Sequence, residues 1–248
     1  MNNTSDHLDL SIIIPCFNEV ESLPHLCKEI DDVLAPTDYR AEAILIDDGS
    51  NDGSNQLYPE LSEQYPWLRV ILLKRNFGQT AAMMAGIDAA RGEILVPMDA
   101  DLQNDPADIP KLLKAYQESS ADNPKTMIVG HRAKRQDSLV KRLSSKIANG
   151  IRASLLGDAT PDTGCGLKVF RRQDFLDLPS FDHMHRFLPA LMLRNGGQVV
   201  SVEVSHRSRE RGKSKYGTFD RLWVGITDLI GVMWLKRRSI DPEIKEDQ

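Results

Sequence analysis

The stretch Ile94-Leu95-Val96-Pro97-Met98-Asp99-Ala100-Asp101-Leu102-Gln103 joins an apolar run to two carboxylates that are two residues apart. We predict a strand over Ile94–Met98, and if the chain stays extended beyond it, the side chains of Asp99 and Asp101 emerge on one side. Hard oxygen ligands at this spacing suit Mg²⁺ or Mn²⁺, and Gln103 would add a carbonyl oxygen. The alternative is a solvated acidic turn, but the position directly after an apolar strand favours a metal site.

The first half of the chain alternates short β-branched runs with helical patterns. This alternation is typical of right-handed βαβ units and a mostly parallel sheet. A continuous apolar run such as Ile12-Ile13-Ile14 is typical of a parallel strand buried on both faces. The predicted strands are Leu10–Ile14, Ala43–Ile46, Val70–Leu73, Ile94–Met98 and Met127–Gly130, and the predicted helices between them are Val20–Leu34, Ser54–Tyr65, Thr80–Ala90 and Ile109–Glu118.

Polar clusters follow three of these predicted strands, at the point where each strand ends. They are Pro15-Cys16-Phe17-Asn18-Glu19, Asp47-Asp48-Gly49-Ser50 and Asp99-Ala100-Asp101. In open parallel sheets, ligands bind in the crevice outside the carboxyl ends of the strands. The convergence of three polar clusters on that edge therefore predicts a ligand site more strongly than any one cluster does.

The first two clusters have side chains that suit a nucleoside. Phe17 would form an apolar wall for the base and Glu19 would bond the ribose. Asp48 would accept hydrogen bonds from base or ribose, because an ionised carboxylate is an acceptor only. A structural interpretation stays open for both clusters, with Asn18 as a helix N-cap and Asp52-Gly53-Ser54 as a turn and second N-cap.

The second half of the chain is less regular and more basic. A predicted helix over Leu139–Leu156 and a predicted strand over Val199–Val204 precede the basic loop His206–Gly217. Guanidinium forks and mobile lysines suit phosphate, although runs of charge are more often solvated faces. Asp162 would act as a base, orient an acceptor or serve as a turn residue. The phosphate candidates are Arg132, Arg209, Arg211, Lys213 and Lys215.

The last predicted helix, Phe219–Leu235, carries apolar residues on one face and is followed by Lys236-Arg237-Arg238. Two tryptophans and three terminal bases are typical of a helix that lies in a membrane interface with anionic lipid. The alternative is a core helix whose apolar face packs on the sheet, which is the commoner case for an amphipathic helix. The basic helix Leu139–Leu156 is a second interfacial candidate with the same alternative.

Composition limits the classes of protein to consider. The 248 residues suit one large α/β domain, and 41% hydrophobic and 27% charged residues are ordinary for a globular protein. A net charge of -5 argues against a general nucleic-acid binder. Three cysteines without a Cys-x-x-Cys pair indicate a reducing compartment. We expect neither a signal peptide nor a membrane-spanning helix.

Taken together, the three strand-end clusters, Leu102-Gln103 and the spaced pair Arg209 and Lys215 resemble family 2 glycosyltransferases of the GT-A fold. The likeness is to the polyprenyl-phosphate branch, which includes dolichyl-phosphate mannosyltransferase and bacterial polyprenyl-phosphate glycosyltransferases, and it covers roughly residues 10–238. It implies a GT-A (Rossmann-like) α/β fold, a mostly parallel sheet flanked by helices, with a C-terminal amphipathic interfacial helix. The chain departs from the family pattern at Cys16-Phe17 and over Asp162–Lys168. In many family members, the stretch that corresponds to Asp162–Lys168 ends in arginine.

The resemblance also implies roles for individual residues, grouped by the part of the substrate that they would contact. Nucleoside contacts are implied for Pro15, Phe17, Glu19, Ile46 and Asp48. Contacts to the metal and the diphosphate are implied for Asp99, Ala100, Asp101 and Gln103. Phosphate contacts are implied for Arg132, Arg209 and Lys215, and Asp162 matches an aspartate of the corresponding loop in the family.

We therefore predict an inverting, metal-dependent glycosyltransferase that moves a sugar from a UDP- or GDP-sugar to a polyprenyl phosphate of the undecaprenyl or dolichyl type. It would lie peripherally on the cytoplasmic face of the membrane, alone or with a membrane-protein partner. We expect one catalytic domain over residues 1–238, with a nucleotide-binding half (1–131) and an acceptor half (132–238), followed by a charged tail (239–248). Transfer to a saccharide or protein acceptor, or nucleotide-sugar binding without catalysis, are the alternatives.

Overall fold

A seven-stranded sheet flanked by helices forms the centre of the molecule. The structure, a computed structural model, describes residues 8–132, 150, 152–158, 160–207 and 218–238, and side chains of 218–224 are outside that description. The strands are β1 (Leu8–Cys16), β2 (Ala41–Asp47), β3 (Leu68–Leu72), β4 (Gly92–Pro97), β5 (Thr126–His131), β6 (Lys168–Arg171) and β7 (Gln198–Glu203). The helices are α1 (Leu23–Leu34), α2 (Ser54–Gln64), α3 (Gln79–Ala89), α4 (Ile109–Ser120), α5 (Arg172–Leu176), α6 (Leu188–Arg194) and α7 (Thr218–Lys236), with 3-10 turns at Pro106–Asp108 and Met184–Arg186.

The strand order is β3-β2-β1-β4-β6-β5-β7. The pairs β1–β2, β2–β3, β1–β4 and β5–β7 are parallel, whereas β6 runs antiparallel to both of its neighbours, β4 and β5. The chain adds β2 and β3 on one side of β1 and then crosses to place β4 on the other. The carboxyl ends of β1 and β4 therefore border the switch point of the sheet, where ligands bind in folds of this class.

Two apolar layers cover the two faces of the sheet. Ile12 and Ile14 of β1 point into the layer formed with α1, α2 and α4, while Ile13 between them points into the layer formed with α3, α5, α6 and α7. This alternation follows from the period of a strand, in which successive side chains face opposite sides. All three isoleucines are buried, as a parallel strand with helices on both faces requires.

The predicted mostly parallel α/β fold is confirmed, and element boundaries differ by a few residues. Helix α1 begins at Leu23 instead of Val20: residues 20–22 form a turn, in which the backbone N–H of Val20 donates to Asp52 Oδ2 at 2.9 Å. The interpretation of Asn18 as an N-cap is wrong: Asn18 has a φ of 55°, and its Oδ1 accepts from the backbone N–H of Asn51 at 2.8 Å. Asn18 therefore ties the turn after β1 to the turn after β2.

Three short elements, β6, α5 and α6, were absent from the sequence-based prediction. Each is four to seven residues long. Of the predicted helix Leu139–Leu156, residues 139–149 and 151 lie outside the described residues, and residues 152–156 are helical. The predicted charged tail, 239–248, also lies outside the described residues. Helix α7 spans the predicted Phe219–Leu235 with one more residue at each end.

Candidate active site

The two aspartates of the Asp-Ala-Asp motif lie directly beyond β4, at the switch point. The chain turns at Ala100 and Asp101 instead of staying extended, which corrects the extended geometry predicted from the sequence. Leu102 has a φ of 62°, and the backbone N–H of Gln103 donates to Asp101 Oδ1 at 3.2 Å. The backbone N–H of Asp99 donates to Asn104 Oδ1 at 3.1 Å. The turn is therefore held by its own side chains.

Asp99 is the carboxylate with the most perturbed environment in this turn. The pKa of Asp99 is raised to about 6, mainly by burial and secondly by the negative charge of Asp101. The cations Lys168 and Arg132 and a hydrogen bond from Gln79 act in the opposite direction. Two carboxylates close enough to repel each other, in a crevice, form a place where a cation is electrostatically favoured.

The residues around Asp99 fit a divalent ion that is also bound by substrate. A Cβ atom added at Gly166 would overlap Asp99 Oδ2 and lie 2.8 Å from Asn104 Oδ1, so only glycine lets this backbone approach the carboxylate. Within the described part of the chain, no group of three or more His, Cys, Asp or Glu side chains is arranged to hold a metal. The carboxylates of Asp99 and Asp101 are hard oxygen ligands, and a Mg²⁺ or Mn²⁺ ion held by them would complete its coordination with phosphate oxygens and water.

Arg132 and Asp162 form a closed ion pair beside this turn. The guanidinium donates to both carboxylate oxygens, at 2.6 and 2.8 Å, and the two side chains are 13% and 4% exposed. The paired Asp162 carboxylate raises the pKa of Arg132 further above its ordinary value. The structure therefore places Asp162 against Arg132, where it orients the guanidinium.

Lys168 is a buried cation in the same region. Its Nζ donates to the carbonyl oxygen of Cys165, and its side chain lies within the electrostatic range of Asp99 and Asp162. Burial lowers the pKa of Lys168. The positive charge of Lys168 therefore partly balances the negative charge of Asp99.

The predicted nucleoside residues lie at the ends of β1 and β2, with differing exposure. Pro15 and Phe17 are half-buried and Glu19 is buried. The carboxylate of Asp48 accepts from the backbone N–H groups of Phe77 and Gly78, at 2.7 and 2.8 Å. Asp48 thus anchors the loop after β3, and its nucleoside role stays a prediction.

Ile46 differs from the other nucleoside candidates because its side chain is fully buried in the core. A Cβ atom added at Gly86 of α3 would lie within 3.0 Å of Ile46 Cγ1, so the helix packs closely on this strand. The Ile46 side chain therefore packs between β2 and α3, and a nucleoside contact by this residue stays a prediction.

The basic loop begins next to the Asp-Ala-Asp turn. The backbone N–H of Arg207 donates to the carbonyl oxygen of Gln103 at 3.3 Å, and the Arg207 guanidinium lies 2.7 Å from Glu29 and 2.8 Å from Asp105. The backbone N–H of Ser205 donates to Asp108 Oδ2 at 2.7 Å. Arg209, Arg211, Lys213 and Lys215 lie outside the described residues. The segment that leads into them is anchored beside the predicted metal ligands.

Four site residues were missed from the sequence: Gln79, Asn104, Lys168 and Arg207. Gln79 Nε2 donates to Asp99 Oδ1 at 2.8 Å across twenty residues of sequence. The same strand-end argument, applied to the polar segment Asn76–Gln79 after β3, would have found it. Arg207 pairs with acids distant in sequence, which no local pattern indicates.

The described helices include none that is both long and apolar enough to cross a membrane.

Comparison with a family model matches residues 11–178 to glycosyl transferase family 2. Dodecaprenyl-phosphate galacturonate synthase of Rhizobium johnstonii is 36% identical over 97% of this chain and 71% of its own length. Undecaprenyl-phosphate 4-deoxy-4-formamido-L-arabinose transferase of Aeromonas hydrophila is 37% identical over 88% of this chain and 65% of its own. The chain thus spans about two thirds of the length of these curated relatives.

Two solved structures show the same fold at low sequence identity. A mannosyltransferase from Pyrobaculum calidifontis, in complex with GDP-Man and Mn²⁺, aligns with a TM-score of 0.64 and 18% identity over 97% of this chain and 67% of that chain. Glucosyl-3-phosphoglycerate synthase from Mycobacterium tuberculosis, in complex with Mg²⁺ and UDP, aligns with a TM-score of 0.66 and 16% identity over 92% of this chain and 79% of that chain. The family match covers well over half of the chain, and with the strand-end carboxylates it establishes that this chain belongs to glycosyl transferase family 2.

Proposed function

We propose that this protein transfers a sugar from a UDP- or GDP-sugar to a polyprenyl phosphate of the undecaprenyl or dolichyl type, with inversion at the sugar carbon. The observation that carries the proposal is the pair Asp99 and Asp101 at the carboxyl end of β4, beside the switch point of the sheet. The names of the two curated relatives, a dodecaprenyl-phosphate and an undecaprenyl-phosphate sugar transferase, support the acceptor class.

The donor would lie across the carboxyl ends of β1, β2 and β4. Phe17 and Pro15 would contact the base, and Glu19 and Asp48 the nucleoside. Asp99, Asp101 and Gln103 would hold a Mg²⁺ or Mn²⁺ ion. A bound divalent ion would supply positive charge to the diphosphate as it leaves. The positive charge of the ion would then lie where negative charge develops on the diphosphate, and electrostatic stabilisation lowers a barrier most at that position.

The acceptor phosphate is a nucleophile that needs no strong base, because it is already ionised near neutral pH. One of its oxygens forms a bond to the anomeric carbon while the bond from that carbon to the diphosphate oxygen breaks, and the nucleoside diphosphate departs. Asp162 has no proton to remove in this step, which agrees with its pairing to Arg132. Arg132 would face a phosphate, and Arg209 and Lys215 would close over the diphosphate.

We propose that the protein lies peripherally on the cytoplasmic face of the membrane, and an exposed apolar stripe on helix α7 supports contact with a lipid surface. Its inner face packs on the core through Leu229, Val232 and Met233. Its outer face exposes an apolar stripe, defined as Ile226, Ile230 and Trp234, with exposures of 43%, 61% and 59%. Residues four apart share one helix face, so the three side chains form one surface. Arg237 and Arg238 are exposed just beyond it, where anionic lipid would attract them.

The proposal is tested by following radiolabel from UDP- and GDP-sugars with Mn²⁺ present. Parallel reactions contain vesicles with undecaprenyl phosphate, vesicles without it, or soluble saccharide and protein acceptors. We expect label in the organic-soluble fraction only when the lipid phosphate is present. Label in soluble acceptors alone would favour the saccharide or protein acceptor, and nucleotide-sugar binding without turnover would favour a binding protein. If transfer needs added membrane extract, a membrane-protein partner becomes part of the account.

A further inference from the structure

The segment Phe77–Thr80 lies between the nucleoside edge of the site and the Asp-Ala-Asp turn. On one side, the two carboxylate oxygens of Asp48 accept from the backbone N–H groups of Phe77 and Gly78, the first two residues of the segment. Gly78 has a φ of 95°, which turns the chain into α3 directly after these bonds. Gln79 is the first residue of α3, so its backbone position is set by Asp48 and by the start of the helix.

Thr80 fixes the same segment from the other side. Its buried Oγ accepts from the backbone N–H of His183 at 3.0 Å and lies 2.7 Å from His185 Nδ1. Burial lowers the pKa of His185 to about 3, so the ring is neutral and shares one hydrogen bond with the Thr80 hydroxyl through Nδ1. His183 Nδ1 in turn lies 3.2 Å from Asp228 Oδ2 on α7.

Between these two anchors, the side chain of Gln79 reaches Asp99. Its Nε2 donates to Oδ1 at 2.8 Å, while the backbone of Gly166 packs against Oδ2. We propose that Gln79 is a positioning residue for Asp99: it holds the carboxylate in the orientation in which it binds the divalent ion. The inference rests on the proposed function only in taking Asp99 as a metal ligand.

The choice of an amide for this contact has a physical reason. A lysine or arginine at position 79 would also hold Asp99, but its positive charge would compete with the ion. Glutamine donates the same kind of hydrogen bond and adds no charge, so Asp99 is oriented and keeps its negative charge for the cation. Partners of this kind, which bond a metal ligand and not the metal, typically change metal affinity 10- to 100-fold when removed.

Mn²⁺ affinity in the presence of saturating UDP or GDP, whichever the protein binds, tests the inference. Free Mn²⁺ is measured by electron paramagnetic resonance, which needs no catalytic turnover. For Gln79→Leu we expect binding about 10- to 100-fold weaker than in the wild type, with thermal stability and nucleotide binding in EDTA unchanged. Gln79→Ala, which removes the same donor without adding an apolar side chain, is expected to show the same loss.

Gln173→Leu is the matched control. Gln173 is also an exposed glutamine on a helix, since it lies in α5. Its Nε2 donates at 2.7 Å to Oδ1 of Asp177, the residue that follows α5. It should bind Mn²⁺ like the wild type. If both Gln79 variants also bind Mn²⁺ like the wild type, the positioning role is overturned and the proposed function stands. If the wild type itself binds no Mn²⁺ with nucleotide, both the positioning role and the metal-dependent transfer are overturned.

Discussion

Asp99 is the residue on which the contacts of the site converge. Its backbone N–H donates to Asn104, and its Oδ1 accepts from Gln79. Its Oδ2 packs against Gly166. A carboxylate oriented from three sides loses little conformational freedom when a cation binds, and preorganisation of this kind favours binding. Asp101 adds the second charge, held by its own bond from Gln103.

Asp162 is the residue whose interpretation changes most between sequence and structure. The sequence predicts a base, an acceptor-orienting group or a turn residue, whereas the structure pairs its carboxylate with the Arg132 guanidinium in a nearly buried fork. Removing one partner of a buried ion pair leaves an uncompensated charge, which typically costs about 3–5 kcal/mol of stability. The pair therefore has a stability role that a free catalytic base would lack.

We accordingly expect Asp162→Ala to lower the free energy of unfolding by about 3–5 kcal/mol, measured by urea denaturation. The double change Arg132→Met with Asp162→Leu should recover much of this loss, because no charge is then left unpaired. Asp32→Ala is the control: Asp32 pairs with Lys28 at 2.7 Å with both side chains more than 60% exposed. Water screens that exposed pair, so Asp32→Ala should unfold at nearly the same urea concentration as the wild type. If Asp162→Ala has the same free energy of unfolding as the wild type, the stability role of the Arg132–Asp162 pair is contradicted.

At the scale of elements, the parts that local sequence patterns specify were predicted well. Strands β1, β2 and β4 are runs of buried apolar residues, and α1 and α4 repeat buried residues at helical spacing, so periodicity alone locates them. Once the strands are located, the positions of the three polar clusters at their ends are known as well. The GT-A resemblance then added the expected fold class, which the sheet order confirms.

Elements and contacts that depend on distant partners could not be predicted in this way. Strand β6 has only four residues, and it exists because Phe170 and Arg171 pair with β4, more than seventy residues earlier in the chain. The hydrogen bond from Gln79 to Asp99 and the Arg132–Asp162 pair also join residues twenty or thirty positions apart. Sequence patterns show which side chains are present, and only the fold shows which of them meet.

Helix α7 has the inner packing face that the core interpretation of its sequence predicts, and its interfacial role stays a proposal. Its outer apolar stripe is exposed, so the same helix could pack on the sheet and present an apolar surface to lipid. Such a helix binds a bilayer through its apolar area and through attraction of nearby bases to anionic headgroups.

We expect Ile230→Glu to reduce cosedimentation with anionic vesicles by at least about tenfold, because burial of one such side chain is worth roughly 1.5–3 kcal/mol. The control is Leu72→Glu on the edge strand β3, since Leu72 and Ile230 are both 61% exposed. Raising the salt concentration should weaken wild-type binding. The interfacial role fails if the wild type does not bind anionic vesicles at low salt, or if both variants lose binding equally.

At the scale of the whole molecule, the sheet brings the pieces of the site together from separate parts of the chain. The ends of β1, β2 and β4 supply the nucleoside and metal candidates, β5 leads directly into Arg132, and β7 leads into the basic loop beside Gln103. Antiparallel β6 lies between β4 and β5, and Gly166, just before it, lies against Asp99. The two proposed halves, 1–131 and 132–238, both contribute strands to this one sheet, so in the proposed function donor and acceptor would lie along one edge of it.

The rate of transfer of labelled sugar into organic-soluble lipid, compared between the wild type and Asp101→Asn, tests the central claim most directly. Asparagine keeps the shape of the side chain and removes its charge, and loss of one preorganised group at the departing charge typically costs about 100- to 1,000-fold in rate. We expect a loss of at least about 100-fold at saturating Mn²⁺ and polyprenyl phosphate, with unchanged circular dichroism and melting temperature. A folded Asp101→Asn protein that transfers sugar within a few-fold of the wild-type rate would contradict the account.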